Sequence, residues 1–173
     1  LDGGTVAAEQ NAGQKMYPAS LTKIMTAITA LEALADLDQT IMVPEGIFPE
    51  LYAQNASQAG FQPGEEALVK DLLYGIILPS GAECCLTLAD YISGSEEEYV
   101  DLMNKKAVEI GMENTHFVNA TGLHDDNHYT TARDMAVLVK YALENETFRE
   151  IFTSSSHSTA SSSWHSEGFT FIS

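Results

Sequence analysis

Basic side chains are scarce in this sequence: eight Lys and Arg stand against twenty-five Asp and Glu in 173 residues, a formal charge of −17. Such a surface repels phosphate backbones and anionic lipid headgroups, which argues against nucleic-acid binding. It also disfavours an anionic ligand at long range, so a carboxylate-bearing substrate needs a local cationic pocket. Arg133 and Arg149 are the only arginines that could help build one. Long apolar runs are missing as well, and no stretch approaches the length needed to cross a bilayer. A basic leader followed by an apolar signal core is absent from the opening Leu1-Asp2-Gly3-Gly4, so the chain is read as processed or trimmed. Cysteine is limited to the adjacent pair Cys84 and Cys85, whose spacing suits neither an ordinary disulfide nor a metal knuckle. Buried free thiols are the reading that remains, and they say little about compartment.

What the sequence does have is enough apolar residues, 45%, for one domain with a real core at this length. Its most informative stretch is Ala19-Ser20-Leu21-Thr22-Lys23, just after Pro18 at the head of a helix-patterned run. A serine three residues before a lysine shares a helix face with it, so the amine can reach the hydroxyl oxygen. In the first turn, unpaired backbone N–H groups and the positive end of the helix dipole stabilise charge that develops during attack. The same spacing also serves a bland role, with Ser20 as an N-cap and Lys23 in solvent. Context favours chemistry: Ile24, Ile28, Leu31 and Leu34 or Ala35 repeat at helical spacing and predict a helix buried on one face. Lys23 borders that face, and partial desolvation is what turns an amine into a usable base.

Along the chain, Thr5–Glu9 reads as the second strand of a hairpin whose first strand would precede residue 1. Pro44, Gly46, Pro49, Gly60, Pro63 and Gly64 mark a loop-rich region of the kind that lines clefts. A helix is predicted over Glu65–Leu78, stopped by Pro79, and a second from about Ala82 to Ile92, ended by Gly94. Ser95 with Glu98 forms a capping box for a third helix that closes at Gly111, and Thr131 with Asp134 repeats the signature for a fourth. From Thr153 to Ser163 the composition is that of a flexible linker or of an edge strand, and Trp164 with Phe169-Thr170-Phe171 favours a return to sheet.

Ser80 is the second candidate, its hydroxyl placed in the tight turn between Pro79 and the next helix, where it could also serve as the N-cap. The stretch His124-Asp125-Asp126-Asn127-His128 brings imidazoles and carboxylates together. Its Asp and Asn residues favour a turn over the helix that would present two metal ligands on one face, so no metal or cofactor is expected. His116, His157 and His165 have no local partners and receive no role.

With these pieces in place the chain resembles the serine D-alanyl-D-alanine carboxypeptidases, the low-molecular-weight penicillin-binding proteins. The resemblance rests on Tyr17-Pro18-Ala19-Ser20-Leu21-Thr22-Lys23-Ile24-Met25-Thr26, on Leu72-Leu73-Tyr74-Gly75 leading to Leu78-Pro79-Ser80-Gly81, and on Met103-Asn104. Phe117-Val118-Asn119-Ala120-Thr121-Gly122-Leu123-His124 and His128-Tyr129-Thr130-Thr131-Ala132-Arg133-Asp134 complete it. It implies an α+β fold, a helical cluster over about 20–150 packed on a mostly antiparallel sheet as in the serine β-lactamases. The ends, 1–19 and 151–173, would contribute to the sheet within a single, truncated domain. It implies acyl transfer from peptidoglycan pentapeptide stems through an ester on Ser20, with Lys23 as base and Ser80 relaying a proton. Gly81 and Ala82 would face the substrate, β-lactams would acylate the same serine, and the site of action would be extracytoplasmic, any membrane attachment lying beyond Ser173.

Two departures from the family pattern bear on activity. Its second motif is normally Ser-x-Asn, whereas Ala82 cannot hydrogen-bond substrate or lysine, a loss of about 1 to 3 kcal/mol if nothing replaces it. Its third motif, Lys-Thr/Ser-Gly on a strand, does not occur before Ser173. That strand binds the substrate carboxylate and gives one oxyanion-hole donor, worth about 2.7 to 4 kcal/mol. The stretch alone is therefore expected to be a poor enzyme, and an open sheet edge invites pairing with another copy or with the remainder of the protein. A β-lactamase of the same fold and a non-catalytic homologue that binds peptidoglycan or β-lactam stay open as alternatives.

Overall fold

A helix with apolar or neutral side chains at nearly every position belongs in an interior, and Thr22–Ala33 (α1) lies in one. The computed structural model describes residues 6–173. Nine consecutive residues of α1, Thr22 to Ala30, are buried, so the helix is enclosed all round rather than on the one face its Ile/Leu spacing predicts. The small Ala and Thr residues between the large ones let neighbours approach from every side. After α2 (Phe48–Ala53) come α3 (Val69–Ile77), α4 (Ala82–Ser93), α5 (Glu96–Ile110), α6 (Ala132–Glu144) and α7 (Glu146–Thr153). All five of these later helices pack on α1. The core they share holds Met25, Ile28, Leu72, Leu73, Leu88, Tyr99, Met103, Phe117, Leu138 and Phe148.

The strands among the described residues form three short antiparallel pairs: β1 (Lys15–Met16) with β4 (Thr130–Thr131), β2 (Thr40–Met42) with β3 (Glu66–Leu68), and β5 (Ser156–Ser158) with β6 (Thr170–Ile172). In β2–β3 the facing pair Ile41 and Ala67 is buried while Met42 and Glu66 are exposed, the alternation expected of a half-covered sheet. The α+β reading holds, as a helical cluster with small antiparallel sheets.

Local sequence signals place most helix ends. Ser95 Oγ accepts from the Glu98 amide and Thr131 Oγ1 from the Asp134 amide, while Gly94 and Gly111 close their helices at φ 81° and 88°. Three expectations are corrected. The helix predicted from Glu65 begins only at Val69, because Glu66–Leu68 is drawn out as a strand against Thr40–Met42. Helix α7 was not anticipated, although Asn145 caps it by accepting from the Phe148 amide and Phe148, Ile151 and Phe152 stand at helical spacing. Residues 6–9 of the supposed opening strand are irregular, and Thr5 lies outside the described residues.

Within the Ser-rich stretch Ser156–Ser158 is a strand, and His157, with His165 just beyond the stretch, ties the segment to the helices. His157 stacks on Tyr74 with centroids 3.7 Å apart, and its Nε2 lies 2.6 Å from Asp71 Oδ1. Asp71 also accepts from the Ala160 amide, and buried Glu65 accepts from Ser162 and, at 2.9 Å, pairs with His165 Nδ1. These hydrogen-bond partners lie 86 to 100 residues away in sequence, so no local pattern could reveal them.

Candidate active site

Pro18, with φ −71°, leads into Ala19, which is left-handed at φ 48°, and a single 3₁₀ turn over Ala19–Leu21 carries Ser20 into the N-terminus of α1. Gly122 packs directly against this left-handed step. A Cβ at that position would lie 2.0 Å from the Ala19 carbonyl oxygen and 3.1 Å from the Ser20 nitrogen. Ser20 is thus aimed by a tight loop crossing and stands one turn ahead of the α-helix proper.

Ser80 is held in a comparable way. Helix α3 stops before Pro79, Ser80 itself adopts φ 63°, and Gly81 bonds back to the Gly75 carbonyl at 2.8 Å. The N-cap of α4 is Gly81, without a side-chain cap, so the capping role open to Ser80 is not the one it fills. Its hydroxyl donates to Ser20 Oγ at 3.2 Å instead. Sixty residues of sequence separate these two oxygens.

Lys23 completes the cluster. It is 5% exposed, and its Nζ donates to the Thr121 carbonyl at 2.6 Å. Ser20, Lys23 and Ser80 line one cavity of about 320 Å³, walled by Ile76 and Ile77 from the end of α3 and by Phe152 from α7. Lys23 is the one cation in that lining. Arg133 is paired with Glu9 at 2.5 Å and Arg149 donates to the Leu143 carbonyl, so neither arginine serves the cavity. Gly81 and Ala82 lie behind Ser80 and are not among the lining residues; Ala82 is 1% exposed.

The loop over residues 117–128 is the buttress of this site. Thr26 Oγ1 donates to the Ala120 carbonyl at 2.7 Å, and the Gly122 amide bonds Asn119 Oδ1 at 2.8 Å. Asn104 holds both the amide and the carbonyl of Phe117, and Glu96 accepts from the Ala120 amide. The motif residues around 104 and 117–122 thus support α1 from behind.

His128, which the sequence reading left in a turn, is buried beneath the site. The Val118 amide donates to its Nδ1 at 3.0 Å, which puts the proton on Nε2, directed at Thr22 Oγ1 2.7 Å away. Burial lowers its pKa to about 4, outweighing the nearby Asp125 carboxylate. The unfolded chain takes up this proton below about pH 6.5 while the folded one resists it to about 4. Stability is therefore expected to fall by about 3 kcal/mol as pH drops through that window, and to level off below it. Urea unfolding midpoints at pH 7 and 4.5 measure the loss, and His128→Gln, though weaker at neutral pH, is expected to lose less between the two.

The remaining candidates are inert. Cys84 and Cys85 are free and fully buried, and burial pushes the Cys85 thiol up to about 12, so neither competes as a nucleophile. The 124–128 stretch is a turn in which the Asn127 amide bonds Asp125 Oδ1. Among the described residues no group of three His, Cys, Asp or Glu side chains is placed to hold a metal.

A hydroxyl paired with a second hydroxyl beside a buried lysine, at the N-terminus of a central helix, is an arrangement chemically suited to acyl transfer onto serine. Residues 1–171 match the D-alanyl-D-alanine carboxypeptidase family, and the chain belongs to it. It is 44% identical over 146 residues to D-alanyl-D-alanine carboxypeptidase DacF of Bacillus subtilis, covering 84% of this chain and 37% of that protein. DacC of Escherichia coli is 42% identical over 145 residues, covering 79% and 36%. The crystal structure of the Streptomyces K15 DD-transpeptidase superposes with a TM-score of 0.89 at 30% identity, over 98% of this chain and 68% of that one. Penicillin-binding protein 5 of Haemophilus influenzae does so at 0.83 and 29%, over 90% and 46%. The chain thus spans little more than a third of the length of DacF and DacC.

Proposed function

We propose that the full-length protein containing this chain removes the terminal D-alanine from peptidoglycan stem peptides, outside the cytoplasmic membrane, by way of an ester on Ser20. Ser20 Oγ attacks the carbonyl carbon of the penultimate D-alanine, and its proton passes to the Lys23 amine acting as base. The C–N bond breaks as the departing D-alanine nitrogen receives a proton relayed by Ser80. Water then attacks the ester, its proton leaves along the same route, and the shortened peptide is released with Ser20 restored. A β-lactam offers the same serine a carbonyl whose amine cannot diffuse away, which makes it an acylating ligand of this site.

The observation that carries this reading is the 3.2 Å approach of the Ser80 and Ser20 hydroxyls in a cavity that also contains Lys23. The contact of Lys23 with the Thr121 carbonyl bears on the Asn that Ala82 replaces: a main-chain oxygen already orients the amine without it. Gly81 and Ala82 then act on substrate by shaping the turn under Ser80.

The test is turnover by the full-length protein of a stem-peptide mimic ending in D-Ala-D-Ala, alongside incubation with labelled penicillin. The carboxypeptidase reading predicts free D-alanine and a long-lived penicilloyl adduct. Rapid loss of the adduct without D-alanine release would instead mark a β-lactamase, and reversible binding without an adduct a non-catalytic receptor. Transfer of the acyl group to an added amine in preference to water would mark a transpeptidase.

A further inference from the structure

We propose that Glu83 is a positioning residue for acylation: its buried carboxylate clamps the Ala59–Gly60 backbone, and through it the turn that aims Ser80 at Ser20. The proposal deepens, and rests on, the acyl-transfer reading of this site.

Glu83 lies in the first turn of α4 and is fully buried, a costly place for a carboxylate that is not hydrogen-bonded. Its Oε1 accepts from two successive amides, Ala59 at 2.7 Å and Gly60 at 2.8 Å. Oε2 is buried with no hydrogen-bond partner among the described residues, and burial raises the pKa of the group despite the backbone amides around it. Packing alone would be served better by an apolar side chain.

What the clamp holds is the outer wall of the Ser80 turn. A Cβ on Gly81 would lie 2.7 Å from Ala59 Cβ, and 3.0 Å from both the Ala59 nitrogen and the Gly75 carbonyl oxygen. The Ala82 amide donates to the Ser57 carbonyl at 2.8 Å, on the same loop. The turn is therefore pressed between α3 on one side and residues 57–60 on the other. Ser80 needs that pressure, because a non-glycine residue at φ 63° persists only when its surroundings dictate it. Its hydroxyl contact with Ser20, at 3.2 Å, is already long for an O–H···O bond, so a shift of a few tenths of an ångström breaks it.

Three variants of the full-length protein test this. Glu83→Gln keeps a carbonyl oxygen where Oε1 stands and is expected to keep the wild-type acylation rate. Glu83→Ala removes the clamp and is expected to slow penicillin acylation by about 10- to 100-fold, the effect of an ångström-scale misplacement. The loss is expected in the maximal rate, with the apparent penicillin dissociation constant little changed. Glu83→Asp, one methylene short, gives a folded intermediate case should the alanine variant unfold. Amide hydrogen exchange at Ala59, Gly60 and Gly81, measured without ligand, is expected to speed up in the alanine and aspartate variants and not in the glutamine one. Unchanged acylation and exchange in Glu83→Ala or Glu83→Asp would overturn the proposal. So would a Glu83→Gln variant as slow as the alanine one, since the charge and not the clamp would then matter. If the wild-type protein forms no adduct, the acyl-transfer reading fails, while the exchange measurement still decides whether Glu83 holds the turn.

Discussion

Lys23→Met in the full-length protein is expected to slow acylation of Ser20 by about 10²- to 10⁴-fold, the range that a positioned general base contributes. Methionine keeps most of the buried stem, so the packing of α1 changes little, but it cannot accept the serine proton. Lys23 is 5% exposed and lines the cavity with both serines, and its amine is fixed by the Thr121 carbonyl. Were Lys23 only a structural tether to the 117–128 loop, the substitution would lower the unfolding temperature and leave the acylation rate of the folded fraction unchanged. Stopped-flow acylation with a chromogenic β-lactam, alongside a thermal melt, separates the two.

Gly122→Ala is expected to cost acylation about 10²-fold or more, although residue 122 carries no reacting group. The added Cβ would collide with the backbone of Ala19, at 2.0 Å from its oxygen and 2.5 Å from its carbonyl carbon, and main-chain atoms cannot step aside as a flexible side chain can. Either the 117–128 loop or the 3₁₀ turn bearing Ser20 has to move, and both outcomes displace the nucleophile from Ser80. Residue 122 also has φ 84°, so part of any effect is backbone strain. Gly94→Ala is the control: φ there is 81°, but nothing lies within 4 Å of the new methyl. It is expected to lose stability to a similar strain and to acylate at the wild-type rate. Equal acylation defects in the two variants would remove the collision from the argument.

The parts of the site that a sequence can show are those set by local chemistry. Ser20 and Lys23 are three apart, Pro79 stops a helix before Ser80, and the caps at Ser95 and Thr131 fall where short-range hydrogen-bonding rules put them. What it could not show is made by contacts across 24 to 106 residues: Glu83 to Ala59, Lys23 to Thr121, His128 to Thr22. Gly122 stood in a motif, but its reason, the approach of Ala19, exists only in the folded chain. Phe152 went unnoticed although Phe148, Ile151 and Phe152 repeat at helical spacing, because that signal spans only eight residues and its approach to the cavity exists only in the folded chain. The full enclosure of α1 was missed because the small Ala and weakly polar Thr residues between the large apolar ones do not by themselves mark a buried face, and reveal burial only once neighbours crowd them. Burial on all sides is also what places Lys23 where its amine has few competing partners.

The most direct test of this account is proteolytic mapping of the penicilloyl group after brief exposure of the full-length protein to labelled penicillin. The account predicts a single modified peptide containing Ser20, absent from Ser20→Ala and formed slowly in Lys23→Met. Label on Ser80 or any other residue, or full-rate labelling of Lys23→Met, would contradict it.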